Sequence, residues 1–146
     1  MTLSELRAMI LELRPAPLER QGLSEALRVS MELFTRHQQI EADLDLSYGT
    51  GLTPEQEIAV YRIVQEALAN IRRHAQADRI GLYLREKENR VELKVTDNGS
   101  GFVPERVMKG NGLFNMKIRA RENGGVFRLQ TSPGHGTTIT VAFPKG

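Results

Sequence analysis

Thr53-Pro54-Glu55-Gln56 opens the segment that most constrains this chain. Thr at the N-cap, Pro in the first turn and Gln three residues on from the cap make a strong helix start. Behind it Ile58, Tyr61, Val64, Leu68 and Ile71 recur at helical spacing as one buried stripe, which predicts a helix running to about His74. The period then changes from helical to two. Ile80, Leu82 and Leu84 alternate with other residues, as do Val91, Leu93 and Val95, and each set predicts a half-buried strand.

The same reading extends along the rest of the chain. Leu3, Leu6, Met9, Ile10 and Leu13 stand three and four apart, the pattern of an amphipathic helix that Pro15 and Pro17 then break. A second helix is expected over about 23–37, with Leu23, Leu27, Met31 and Phe34 on one face. Over 40–46, Ile40, Ala42, Leu44 and Leu46 alternate against Glu41, Asp43 and Asp45, which predicts a strand buried on its apolar side. Residues 97–112 are rich in glycine and turn formers, 113–123 read as a helix closed by Gly124-Gly125, and 126–131 and 137–143 read as strands. Strands joined by short turns pair antiparallel, so the expected class is α+β: an α/β sandwich with a mixed, mostly antiparallel sheet and helices on one face. Residues 1–22 read as a lead-in segment and 23–146 as the domain proper.

Length and composition fit one globular domain of 146 residues with 40% apolar residues. A net charge of +2, with acids and bases interspersed, argues against a nucleic-acid binder, which concentrates its basic residues on one face. The absence of cysteine excludes disulfides and thiolate metal sites and fits a reducing compartment. No apolar run approaches the roughly 20 residues that span a bilayer, and residues 1–6 lack a signal-peptide start. The expected location is cytoplasmic, with no membrane contact by this part of the chain.

Three patterns carry chemistry. On the long helix, Glu66, Asn70 and Arg73 or His74 share a face roughly opposite the apolar stripe. A carboxylate and an amide oxygen there can hold a hydrated Mg²⁺, and a neighbouring arginine can meet phosphate. After a strand comes Thr96-Asp97-Asn98-Gly99-Ser100-Gly101-Phe102, where a carboxylate at a strand end can accept from an exocyclic amine and the glycines allow close approach to the backbone. Gly110-Asn111-Gly112-Leu113 then opens a helix, whose first N–H groups and dipole suit phosphate. It is neither a Walker loop nor a dinucleotide fingerprint, since no Gly-Lys-Ser/Thr follows and no βαβ unit surrounds it. Taken singly, the three also suit a solvated helix face, a surface turn and a flexible loop.

Their order is more telling. Glu66-x-x-x-Asn70, Asp97-x-Gly99-x-Gly101-Phe102, Gly110-x-Gly112-Leu113 and Gly134-x-Gly136-Thr137 resemble the N, G1 and G2 boxes and the final glycine-threonine motif of the GHKL ATPase superfamily (gyrase, Hsp90, histidine kinase, MutL), over residues 38–144. The stretches 66–75 and 112–121 are similar to those of NarX- and DesK-like sensor histidine kinases, which pair with NarL-type response regulators. The leading Leu6-Arg7, Ile10 and Leu13-Arg14-Pro15 resemble the end of that group's second dimerisation helix and the join to its catalytic domain.

The resemblance implies a Bergerat-type fold that binds ATP with Mg²⁺. It implies that Asp97 receives the adenine amine, that Gly99, Gly101 and Thr137 shape the adenine pocket, and that Asn70, with Glu66, serves the metal. Gly110, Gly112 and Leu113 would cover the triphosphate, with Arg73 and His74 at the phosphates. Phosphoryl transfer then requires mainly positioning and electrostatic stabilisation. Arg73 stands where this N box usually has lysine, a planar fork in place of a point charge. Glu66 matches the water-activating acid of gyrase-like ATPases, whereas in histidine kinases the base is the acid beside the acceptor histidine, which leaves Glu66 to orient metal-bound water. None of His37, His74 and His135 is followed by an acid as the kinase acceptor is. The expected partner is therefore a histidine-bearing dimerisation domain of a homodimeric parent kinase. The alternatives are a hydrolysing GHKL ATPase, a serine-directed anti-sigma kinase, or a nucleotide-binding module without transfer.

Overall fold

The computed structural model describes residues 14–101 and 112–144, the side chains of His74 and Ala75 excepted. The helix expected over 3–13, and Phe102, Gly110 and Asn111, lie outside the described residues. Helix α1 (Ala16–Gln21) and helix α2 (Leu23–Gln38) precede strand β1 (Glu41–Asp45), and helix α3 (Pro54–Asn70) runs on into a π-turn over Ile71–Ala75. Strands β2 (Arg79–Lys87) and β3 (Arg90–Asp97), helix α4 (Gly112–Glu122), and strands β4 (Val126–Thr131) and β5 (Thr137–Pro144) complete the chain. The five strands form one sheet in the order β1-β2-β3-β5-β4, antiparallel except for the parallel β1–β2 pair. The α+β class expected from the patterning is the fold observed.

Register explains where the core lies. Leu82 pairs with Val95, Val95 with Ile139 and Ile139 with Leu129, so one row of aliphatic side chains crosses the sheet. Leu84, Leu93, Val141 and Phe127 form the next row. Against these rows lies the inner side of α3, on which Val60, Ile63 and Val64 are fully buried. The opposite sheet face carries Tyr83, Arg85, Lys94 and Thr140, none of them buried. Burying one such aliphatic side chain contributes about 1.5–3 kcal/mol, so these rows dominate the fold's stability.

Two expectations need correction. Ala42 and Leu44 belong to the alternating apolar set over 40–46, yet Ala42 is exposed and Leu44 is 37% exposed. Leu44 continues the Leu82 row, but β1 is the edge strand, where helix cover runs out. Pro15 and Pro17, read from the sequence as helix breakers, sit at the start of α1, where a missing N–H costs nothing. The long helix reaches about His74 as expected, its last turn, Ile71–Ala75, being π-helical.

The start of α3 is tied down as its sequence predicts. Thr53 Oγ accepts from Gln56 N at 3.1 Å and Gln56 Oε1 accepts from Thr53 N at 3.0 Å, a complete capping box. One turn on, Glu57 accepts from Tyr48 Oη at 3.0 Å and from Arg14 at 3.2 Å, while Tyr48 Oη accepts from Leu52 N at 3.3 Å. Burial and then the Glu57 carboxylate push the Tyr48 phenol up to about 12. The folded state thus keeps its phenolic proton where the unfolded chain has lost it, so stability is full below pH 10 and falls as pH rises toward about 12. Tyr48→Phe is expected to lose about 1 kcal/mol at neutral pH and to show a flatter decline over that window in denaturant titrations. Equal slopes for the two proteins would count against the assignment.

Candidate functional site

Two clusters of the sequence-predicted residues form, one at the far end of α3 and one at the end of β3. At the first, Arg73 donates to Asn70 Oδ1 at 3.0 Å and lies 3.5 Å from Glu66 Oε1. One guanidinium therefore gathers the two oxygen-bearing side chains. Gly112, the first residue of α4, packs directly on the Glu66 side chain, where any Cβ would collide with the carboxylate. Helices α3 and α4 run antiparallel, because Gln56 at the start of α3 donates to the Asn123 carbonyl just past the end of α4, at 3.0 Å. That pairing brings the helix N-terminus at Gly112 beside Glu66, and Leu113 is buried in the same turn.

At the second cluster Asp97 closes β3, with Oδ1 accepting from Gly99 N at 2.8 Å. Among the described residues no donor is recorded at Oδ2. Burial raises the Asp97 carboxyl above the usual carboxylate range, opposed by the Gly99 N–H. The walls are main chain. Gly136 (φ +71°) packs on the Asp97 carbonyl, a conformation and a distance that a Cβ would not permit. Gly101 lies against the Ser132 carbonyl, and Gly134 N donates to Ser100 O at 2.6 Å. Thr137 is the cross-strand partner of Asp97, and its Oγ1 lies 2.9 Å from Thr131 Oγ1. Asp97, Gly99, Gly101 and Thr137 are thus brought together, as are Glu66, Asn70, Arg73 and Gly112. Gly110 and the side chain of His74 lie outside the described residues.

Two contributors escaped the sequence reading. Asn98 Oδ1 accepts from the N–H groups of Asp78 and Arg79, at 3.0 and 3.1 Å, which staples the loop after the π-turn to the turn behind Asp97. In sequence it is an unremarked turn former. Arg119 of α4 is half-buried; burial first and the charge of Arg62 next lower its pKa, with Glu122 and Glu66 opposing. Its place in the stretch 112–121 was visible, but its approach to Glu66 depends on the packing of two helices.

The arrangement presents a desolvated carboxylate between glycine-lined main chain, and a helix N-terminus beside a carboxylate, an amide and an arginine. The chain that carries it is similar to known proteins. Residues 55–146 match the family model described as "Histidine kinase-, DNA gyrase B-, and HSP90-like ATPase". The chain is 40% identical over 142 residues to sensor histidine kinase LiaS of Bacillus subtilis, covering 97% of this chain and 39% of that protein. It is 34% identical over 145 residues to the signal transduction histidine-protein kinase/phosphatase DegS of Brevibacillus brevis, covering 98% and 38%. The chain thus spans about two fifths of the length of these relatives. The fold is that of the histidine kinase domain of the Erythrobacter litoralis EL346 blue-light activated histidine kinase, with a TM-score of 0.68 at 19% identity over 84% of this chain and 61% of that one. The chain belongs to the family of histidine kinase-, DNA gyrase B- and HSP90-like ATPases, as an ATP-binding domain of the kind that sensor histidine kinases carry.

Proposed function

We infer that this domain binds Mg-ATP and transfers the γ-phosphoryl group to a histidine on the dimerisation domain of a homodimeric parent kinase. The observation that carries the reading is Asp97: a half-buried carboxylate that accepts one main-chain N–H and, among the described residues, has an oxygen to spare. An exocyclic amine suits that oxygen, because a charged acceptor with no partner in a desolvated site is costly. Gly99, Gly101, Gly136 and Thr137 supply a flat main-chain wall with little side-chain bulk, which suits a planar base.

Glu66 and Asn70 are fit for a magnesium ion in part. Both are oxygen donors and Arg73 already holds them together, but among the described residues no group of three or more acidic or histidine side chains gathers. The remaining ligands would be phosphate oxygens and water, the usual arrangement for Mg²⁺, whose charge offsets that of the phosphates. Asn70 and Glu66 would orient this assembly, and Arg73, Gly112 and Leu113 would meet the phosphate chain. The half-exposed Glu66 is better placed to fix metal-bound water than to act alone as a base. The names of the relatives favour a kinase over a hydrolysing ATPase, an anti-sigma serine kinase or a silent nucleotide module.

Further parts of the reading rest on resemblance: membership of the NarX/DesK-like branch, a NarL-type response regulator downstream, a cytoplasmic location, and residues 1–22 as the end of a dimerisation helix and linker. No helix among the described residues is long and apolar enough to cross a membrane.

Asp97→Asn is expected to abolish ATP binding in calorimetry while leaving the fold intact. Because the folded-state carboxyl pKa is raised, Asp97 contributes stability below its ordinary 3.8 that is lost as pH rises through the folded value. The Asn variant should therefore be no less stable at neutral pH and should lack that part of the decline; normal ATP affinity in it would remove the adenine assignment. Asn70→Ala should weaken ATP binding when Mg²⁺ is present and change metal-free binding little, so equal losses in both conditions would end the metal role. With labelled ATP, the chain alone should remain unlabelled and should phosphorylate a supplied histidine-bearing dimerisation domain. Label on this chain alone, or none on the supplied domain, would overturn the kinase reading.

A further inference from the structure

Asn98 is exposed in the turn behind Asp97, yet it is held from its main chain and from both ends of its amide. Its N–H donates to the Arg79 carbonyl at 3.2 Å. Its Oδ1 accepts from the N–H groups of Asp78 and Arg79, and its Nδ2 donates to Asp78 Oδ1 at 2.5 Å. Only an amide meets these demands, because the oxygen faces two donors while the nitrogen faces a carboxylate. A carboxylate at this position would stand against that of Asp78. An apolar side chain would take the acceptor away from both N–H groups.

The turn between β4 and β5 closes on the same residue from another side. A Cβ at Gly136 would lie 3.2 Å from Asn98 Cα. Residue 98 is therefore clamped between the start of β2 and a glycine turn.

The clamp matters because residue 98 is the middle of the turn in which Asp97 Oδ1 accepts from Gly99 N at 2.8 Å. The direction of that N–H follows the rigid peptide plane between residues 98 and 99. Whatever fixes residue 98 thus fixes how the Asp97 carboxylate is turned. The clamp also has a second connection. Asp78 comes two residues after Gln76, whose left-handed backbone (φ +51°) ends the π-turn that carries Arg73. One short loop ties the Asp97 turn to the helix end where Arg73 gathers Asn70 and Glu66.

We propose that Asn98 is a positioning residue for nucleotide selectivity: anchored on Asp78 and Arg79, it holds the Asp97 carboxylate in the orientation that receives an exocyclic amine. Asp97 supplies the acceptor and Asn98 supplies its aim. Without the anchor the carboxylate remains, but a purine with the amine gains little over one without it. The proposal rests on the nucleotide reading above and deepens it.

The test compares calorimetric affinities for ATP and for purine riboside triphosphate, which lacks only the 6-amino group, both with Mg²⁺. Phosphate and wall contacts are common to the two ligands, so their ratio isolates recognition of the amine. The unaltered chain should prefer ATP. Asn98→Ala should lower ATP affinity about tenfold, the worth of one hydrogen bond to a charged group, and change the other affinity little. Asn98→Asp should behave in the same way. Adding Asp78→Asn to it exchanges amide and carboxylate across the contact and should restore the preference. Equal losses for both nucleotides in Asn98→Ala, or no recovery in the exchanged pair, would overturn the proposal. Asp97→Asn serves as the reference. If it loses ATP while Asn98→Ala keeps the preference, this proposal alone falls; if it binds ATP normally, the adenine assignment falls as well.

Discussion

Helix α3 has to do two things with one cylinder, and the rest of the domain is arranged around that constraint. Its inner side buries Val60, Ile63, Val64 and Ala67 among the core residues beneath the sheet. Glu66 and Asn70 must then face away from that core, where α4 comes to meet them. The meeting is possible only because residue 112 is glycine, which lets the first turn of α4 reach the Glu66 side chain. The Gln56–Asn123 bond at the other end fixes the antiparallel register. Packing energy thus sets the position of the polar side chains, and no large polar network is needed to hold them.

The Asp97 cluster is built on the opposite principle, main chain against main chain. Strand pairing places Asp97 opposite Thr137, and the turn between β4 and β5 folds over the turn after β3 through the Gly134–Ser100 hydrogen bond. Such contacts involve few rotatable bonds, so the carboxylate is held without much side-chain ordering. The fold keeps Asp97 partly desolvated, at a cost to stability that its raised pKa records. A carboxylate whose pKa is raised by burial is a candidate for ligand binding, the role proposed for Asp97 above.

Much of this was legible in the chain, for identifiable reasons. The aliphatic positions of β2, β3 and β5 alternate cleanly because helices cover one sheet face and solvent bathes the other. The capping box at Thr53 is a local interaction and was visible as one. Burial of Leu44 was misjudged because alternation reports which side a residue faces, and cannot report that β1 is an edge strand where cover ends. The start of α1 at Pro15 and Pro17 shows a similar ambiguity, since a proline that is disfavoured inside a helix is favoured in its first turn. Asn98 and Arg119 act across 19 to 20 residues and between two helices respectively, distances that no short pattern encodes.

The charge around Glu66 completes the picture. Arg73 lies beside Glu66, and Arg119 is influenced by Arg62, Glu122 and Glu66, so three guanidinium groups share this corner with two carboxylates. Arg62 lowers the pKa of Arg119, which means that the two cations repel each other in the folded protein. Folding tolerates this repulsion because packing between α3 and α4 outweighs it. A bound anion would relieve it, and a polyphosphate brings several negative charges to the helix N-terminus that opens α4. On the function proposed above, positive charge held in place by apolar packing would be preorganised for a phosphate chain: little side-chain reorganisation would then be needed when the charge arrives.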